Sequence, residues 1–283
     1  MRESGRTSLA ERHRARAEAV VAARNPRLHG VFIRIFRRTM RADFHALRRD
    51  GQGEPAPADT PHLVIYANHP SWWDGALYNV LHGQFFAKRA GFAPIDADML
   101  AQYRFMARIG AIGVDQSSRA GAAAFLATCT HVLEDPDRVL WIAAQGRFAD
   151  VRQRPLALQP GLAHLAINAP QARFVPLAVD YAFWDERTPE AFIRFGPTIA
   201  GEDIARLGVK AGLAKLEDAL TETLDALSQT VMTRDPDRFE TLLTGRVGIG
   251  GVYDLWRRAK AAWRGEQFDA AHSRPHADAD APS

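Results

Sequence analysis

One cysteine in 283 residues, Cys129, excludes an internal disulfide. No cluster of His, Cys, Asp or Glu has metal-ligand spacing, so neither a metal nor a bound cofactor is expected. No run of apolar residues approaches the ~18 that a spanning helix needs. Arg12, Arg14, Arg16 and Glu18 interrupt the N-terminus and leave no continuous apolar signal core. Together these absences point to a cytosolic location. There is no Gly-x-Ser-x-Gly elbow to supply a serine nucleophile, and no internal repeat. The Gly-rich stretch Gly245 to Gly251 follows no strand, so it is not a dinucleotide-binding turn. The remaining composition, 47% apolar, is ordinary for one large globular domain with appendages.

Lysine is also missing from the first fifty residues, which hold 13 Arg against 5 acidic residues, an excess of +8. From Pro26 to Arg49 the apolar residues Leu28, Val31, Phe32, Ile35, Phe36, Met40, Phe44 and Leu47 recur at spacings of three and four. Arg27, Arg34, Arg37, Arg38, Arg41 and Arg48 fill much of the remainder. This pattern predicts a basic amphipathic helical segment suited to the inner, anionic face of a membrane. Nucleic acid is the other partner such charge permits, but no nucleic-acid motif accompanies it, and none is expected as a partner.

The most informative stretch is Leu63 to Asp74, Leu-Val-Ile-Tyr-Ala-Asn-His-Pro-Ser-Trp-Trp-Asp. Leu63 to Ala67 has strand length and composition, and Pro70-Ser71 break it into a turn. His69 therefore sits where a buried strand emerges, with Asp74 in the next element. Histidine titrates near neutral pH unaided, and a carboxylate on its second ring nitrogen fixes the tautomer and stabilises the imidazolium. Such a pair is suited to deprotonating a hydroxyl. The spacing is not selective by itself, since His45 and Asp50 share it. That second pair lies in an Arg-rich, helix-patterned stretch and reads as a solvated helix face.

Three further blocks follow in order: Phe105 to Asp115, Trp141 to Phe148 and Phe174 to Val179. With Asn68-His69 and Asp74 they resemble the glycerolipid acyltransferase family, the lysophosphatidic acid acyltransferases and their relatives. The family's blocks are Asn-His with Asp five positions on, Gly-x-x-Phe-Ile-Asp-Arg, Phe-Pro-Glu-Gly-Thr-Arg, and a Val-Pro near a strand. The resemblance runs from about Asn25 to Ile199. The first block matches in full and the fourth through Val175-Pro176. The second carries Gln116 where the family has Arg. In the third, Ala144 replaces Pro, Gln145 replaces Glu, and Arg147 comes one position early.

The resemblance implies an O-acyltransferase. A fatty acyl thioester on coenzyme A or acyl carrier protein would be the donor, a lipid hydroxyl the acceptor, His69 the general base and Asp74 its orienter. It also implies substrate contacts from Asn68, Trp72, Trp73, Asp115, Gln145, Gly146, Arg147 and Pro176. The lost arginines weaken a phosphate clamp, although Arg119 could replace one. A neutral or glycosylated lipid alcohol thus stands beside a lysophospholipid as acceptor. The competing readings are a hydrolase using His69 with water and a catalytically silent lipid-binding protein at the membrane.

The strand candidates are Leu63–Ala67, Gln84–Ala87, Ile112–Asp115, Arg138–Ala143, Phe174–Tyr181 and Ala191–Phe195. Helical patterns at Asp74–Leu81, Ala97–Ala107, Ala120–Leu133 and Gly161–Ile167 alternate with them. This predicts an α/β fold, a mixed, largely parallel sheet covered by helices on both faces, with an N-terminal amphipathic helical segment. The expected division is N-terminal helices over 1–50, a linker over 51–61, the catalytic core over 62–200, a helical part over 201–270 and a disordered tail over 271–283.

Overall fold

The computed structural model describes residues 8–246. The second basic, Trp-bearing helix pattern at Val252 to Arg264 and the expected tail lie outside the described residues.

The sheet is built outward from three parallel strands. These are β2 (Leu63–Ala67), β5 (Arg138–Ala143) and β6 (Arg173–Ala182), with β2 in the middle; counting along the chain, β1 is Ala46–Asp50, β3 Ala90–Asp96 and β4 Ala111–Val114. β3 and β4 extend the parallel sheet beyond β5. Past β6 lie β7 (Glu190–Phe195), antiparallel to it, then β1, parallel to β7, then β9 (Phe239–Thr244), antiparallel to β1. The short β8 (Ile199–Ala200) pairs with β6. The result is a nine-stranded, mixed, largely parallel sheet.

Strand alternation divides the core in two. Leu63, Ile65 and Ala67 face one cluster, with Leu77 and Leu81 of α3 (Asp74–Phe85) and Met40 of α2 (Pro26–Asp43). Val64 and Tyr66 face the other, with Cys129 and Val132 of α5 (Arg119–Val132), Leu162 and Leu165 of α6 (Gly161–Asn168), and Leu216, Leu220 and Leu224 of α7 (Gly201–Met232). All five residues of β2 are buried, as a strand covered on both faces must be. α1 (Leu9–Ala23) packs on α5, and α2 lies along α3. The short α4 (Ala97–Gln102) follows β3.

Three expectations are corrected. A strand, β9, does directly precede Gly245, where none was expected. Gln84 and Phe85 do not begin a strand; they finish α3, whose apolar face runs on through Phe85 and Phe86. The strand is β3, whose Gly91 and Pro94 disfavour a strand and are overruled by pairing on both sides. The charged stretch at Ala46–Asp50 is no helix face but β1, between β7 and β9. Its charges are paired: Arg48 with Glu190 of β7, and Arg49 with Glu240 of β9 and with Glu54 in the following loop. Asp50, 1% exposed, accepts from Arg194 at 2.7 Å and from Thr230 at 2.9 Å.

A polar pocket lies beneath α2 and α3. Arg24 donates to His29 Nδ1 at 2.8 Å, so His29 Nε2–H donates to Asn79 Oδ1 at 2.9 Å. Trp141 Nε1–H donates to His82 Nδ1 at 3.3 Å, so His82 Nε2–H donates to the Arg89 carbonyl at 3.1 Å. The two rings stack at 5.3 Å. Burial pushes both imidazoles toward the neutral form, and the charges of His29, Arg24 and Arg89 help push His82 down to about 3.

Candidate active site

The C-terminal ends of β2 and β5 stop level with each other, Ala67 opposite Ala143, and β6 continues past them beside β2. The chain leaves both strand ends into turns that meet. Asn68, 1% exposed, pairs with the backbone of β6 like one more strand residue. Its Nδ2 donates to the Val179 carbonyl and its Oδ1 accepts from the Val179 N–H, both at 2.8 Å. Only an amide supplies donor and acceptor together there. Asn68 is thus spent on architecture, holding the start of the His69 turn.

His69 follows. Its Nδ1 lies 2.6 Å from Asp74 Oδ2. A carboxylate only accepts, so Nδ1 carries the hydrogen and Nε2 presents its lone pair. Nε2 has no hydrogen-bond partner among the described residues. Asp74 opens α3 and is 0% exposed. Its Oδ2 also accepts from the Ser71 N–H at 3.2 Å, and its Oδ1 from the Tyr181 hydroxyl at 2.7 Å. Burial and the Asp74 charge hold both Tyr181 and Tyr78 far above the ordinary phenol range, so both stay protonated.

The turn after β5 is pinned against His69. Gln145, 1% exposed, accepts from the His69 N–H at 2.8 Å and donates to the Leu156 carbonyl at 2.9 Å. The Ala149 N–H donates to the His69 carbonyl at 3.0 Å. Gly146, at φ +63°, allows the reversal between them. Beyond it, the Phe148 ring lies 4.5 Å from the His69 ring and is 56% exposed. The N–H groups of Arg147 and Phe148 bond to no described residue. The Gly146 N–H is taken by the Ala143 carbonyl.

The remaining expected residues divide. Trp72 stands out into solvent at 70% exposure beside the site, while Trp73 packs edge-on against Phe44 as part of the core. Asp115 organises its own turn: hydrogen bonds from Ser117 and Ser118 hold its carboxyl down to about 2. Its neighbour Gln116 reaches the third block, with Nε2 3.5 Å from the Gly146 carbonyl. Arg147 and Arg119 are both exposed. Two more of the residues expected at the substrate are engaged within the protein. Gln145 is enclosed and its amide engaged within the protein. Pro176 lies within β6 against Gly196 and α7, on the opposite face of the sheet from Asp74 and Tyr181.

Sequence reasoning missed Tyr181, Ser71 and Phe148. Tyr181 was findable from parity, since it shares a face with Val175, Leu177 and Val179. Phe148 carried no signal beyond its place next to Arg147.

The Acyltransferase family model matches residues 48–180, from β1 to β6, a span that takes in all of these turns. This stretch belongs to the acyltransferase family. No curated protein matches the chain. The His69–Asp74 turn lies well inside the matched span.

Proposed function

We propose that the protein transfers a fatty acyl group from an acyl thioester to a hydroxyl of a lipid acceptor at a membrane surface. The observation that carries the reading is the 2.6 Å contact between His69 Nδ1 and the enclosed Asp74 carboxylate, which leaves Nε2 unengaged. His69 Nε2 takes the proton of the acceptor hydroxyl as its oxygen attacks the thioester carbonyl, and Asp74 stabilises the imidazolium that forms. The tetrahedral oxyanion needs donors, and the successive free N–H groups of Arg147 and Phe148 are the candidates beside His69. Collapse expels the thiolate, which recovers the proton from His69. The donor is carried by coenzyme A or acyl carrier protein.

Membrane association rests on α2. Val31 and Ile35 remain exposed on it at 40% and 47%, beside the exposed Arg27, Arg34, Arg38 and Arg41. Phe105 and Tyr103, close by, are exposed as well, with Phe105 stacked on Phe32. No described helix is long and apolar enough to cross a membrane. The acceptor reading favours a neutral or glycosylated lipid alcohol over a lysophospholipid. Where the resembling blocks end in arginine, this chain has Gln116 and the apolar Phe148. The test is to incubate purified protein with labelled acyl thioester and a total lipid extract. A labelled ester lipid supports the reading, and release of free fatty acid alone, or no turnover, ends it.

A further inference from the structure

We propose that Tyr181 is a positioning residue that sets the basicity of His69 through Asp74; this rests on the reading of His69 as the base. A carboxylate removed from water must have its lone pairs occupied. Asp74 meets that demand with three donors from two places. His69 and Ser71 bind Oδ2 from the turn itself. Tyr181 binds Oδ1 at 2.7 Å from a strand 107 residues along the chain.

That third donor is held with care. The Asn68 clamp on Val179 fixes the register of β6 two residues before Tyr181. Phe44, at the end of α2, packs against the Tyr181 ring at 5.7 Å. The surroundings offer few other charges. Tyr78 of α3 is buried and protonated, and Trp73, Phe44 and Phe148 are uncharged. Asp180 alternates to the other face of β6, where Arg152 and Asp150 are its charged neighbours. The loop packed on His69 also carries the exposed Arg147 and the Asp150–Arg152 pair; Asp74 is the charged group bonded to the His69 ring, and Tyr181 is the donor to its Oδ1.

The direction follows from electrostatics. A phenol donating to Oδ1 draws negative charge toward itself. Less is left at Oδ2 to stabilise an imidazolium. Tyr181 therefore keeps His69 neutral, and able to accept a proton, to lower pH than Asp74 alone would allow.

Tyr181→Phe removes the single oxygen. The titration midpoint of the His69 ring, followed by NMR with isotope-labelled histidine, should rise, because the Asp74 oxygen facing Nδ1 then carries more of the negative charge. The acidic limb of kcat/KM should move up with it, with rates recovering at high pH. Replacing Tyr181 with 3-fluorotyrosine, a stronger donor, should move both in the opposite direction. The proposal is overturned by a Tyr181→Phe protein whose His69 titration and rate profile match wild type. It is equally overturned if both replacements lower the rate evenly at all pH without moving the titration, which is the behaviour of a packing residue. His69→Ala is measured alongside. Full turnover by His69→Ala, with the His69 ring of the Tyr181 variants still shifted in titration, rejects His69 as base and leaves the coupling through Asp74 standing.

Discussion

Gln145 accepts the backbone N–H of His69 and, through its other end, donates to the Leu156 carbonyl. One neutral amide thus joins the His69 turn to the loop that brings Phe148 over it. A glutamate, the residue of the resembling block, could make the first bond but as an anion could not make the second.

Gln145→Glu should therefore destabilise the protein by about 1–3 kcal/mol at neutral pH, the usual cost of an unsatisfied buried group. Burial favours the protonated acid in the folded state, so its folded pKa is raised. The deficit relative to wild type should be small below about pH 4, where folded and unfolded carboxyls are both protonated, and grow as pH rises. Urea denaturation of both proteins at acidic and neutral pH measures it.

His69→Ala should lower turnover by about 10²–10⁴-fold, the range for a lost general base. His45→Ala should leave it largely intact, because among the described residues the His45 ring bonds the Arg246 carbonyl, at 3.0 Å, and nothing of the site. A folded His69→Ala protein with near-normal transfer would refute the base assignment.

Acid stability should report the His29–His82 pocket. In the folded state burial keeps His82 neutral down to about 3, and His29 is depressed as well. Once unfolded, both take up protons below the ordinary value of 6.5. The unfolded state then binds more protons, so stability should fall as pH drops from about 6.5 toward 3. His82→Gln should flatten that slope in denaturation curves collected across the range.

Binding to anionic vesicles should weaken with salt, because exposed charges are screened over about 8 Å at physiological ionic strength. Changing Arg34, Arg37, Arg38 and Arg41 to Gln should reduce binding while sparing activity on a detergent-solubilised acceptor. Sedimentation with vesicles at low and high salt decides it; equal binding by both proteins would count against a role for α2 at the membrane.

In one-tube competition, a neutral or glycosylated lipid alcohol should be acylated ahead of lysophosphatidic acid. If lysophosphatidic acid wins tenfold, a gap of about 1.4 kcal/mol in transition-state binding, a phosphate site survives and Arg119 or Arg147 supplies it.

What the sequence disclosed follows from how local each signal is. β2 and β5 were legible to the residue because they are short apolar runs with sharp breaks, Asn68 to Ser71 after one and Gln145-Gly146 after the other. His69 and Asp74 share one turn, so their partnership could be read as well. β3 was hidden because Gly91 and Pro94 carry no strand propensity and only neighbouring strands hold them extended. β1 was misread because its arginines are answered by Glu54, Glu190 and Glu240, all outside its own segment. Gln145 looked like an altered ligand contact. Its engagement with His69, 76 residues away, exists only once the two turns meet.

That late meeting of partners has a consequence for how the chain is made. β1 is synthesised early, yet Arg48 answers Glu190 across 142 residues, and β9 comes later still. On a ribosome, which generally releases folded units from the N-terminal side first, β1 emerges without a strand to join. Its consecutive Arg48, Arg49 and Asp50 are the kind of charges that protect a bare strand from adhering to other chains. The same charges that disguise β1 as a helix face suit it to that wait, and it can be enclosed on both edges only once β7 and β9 have been made.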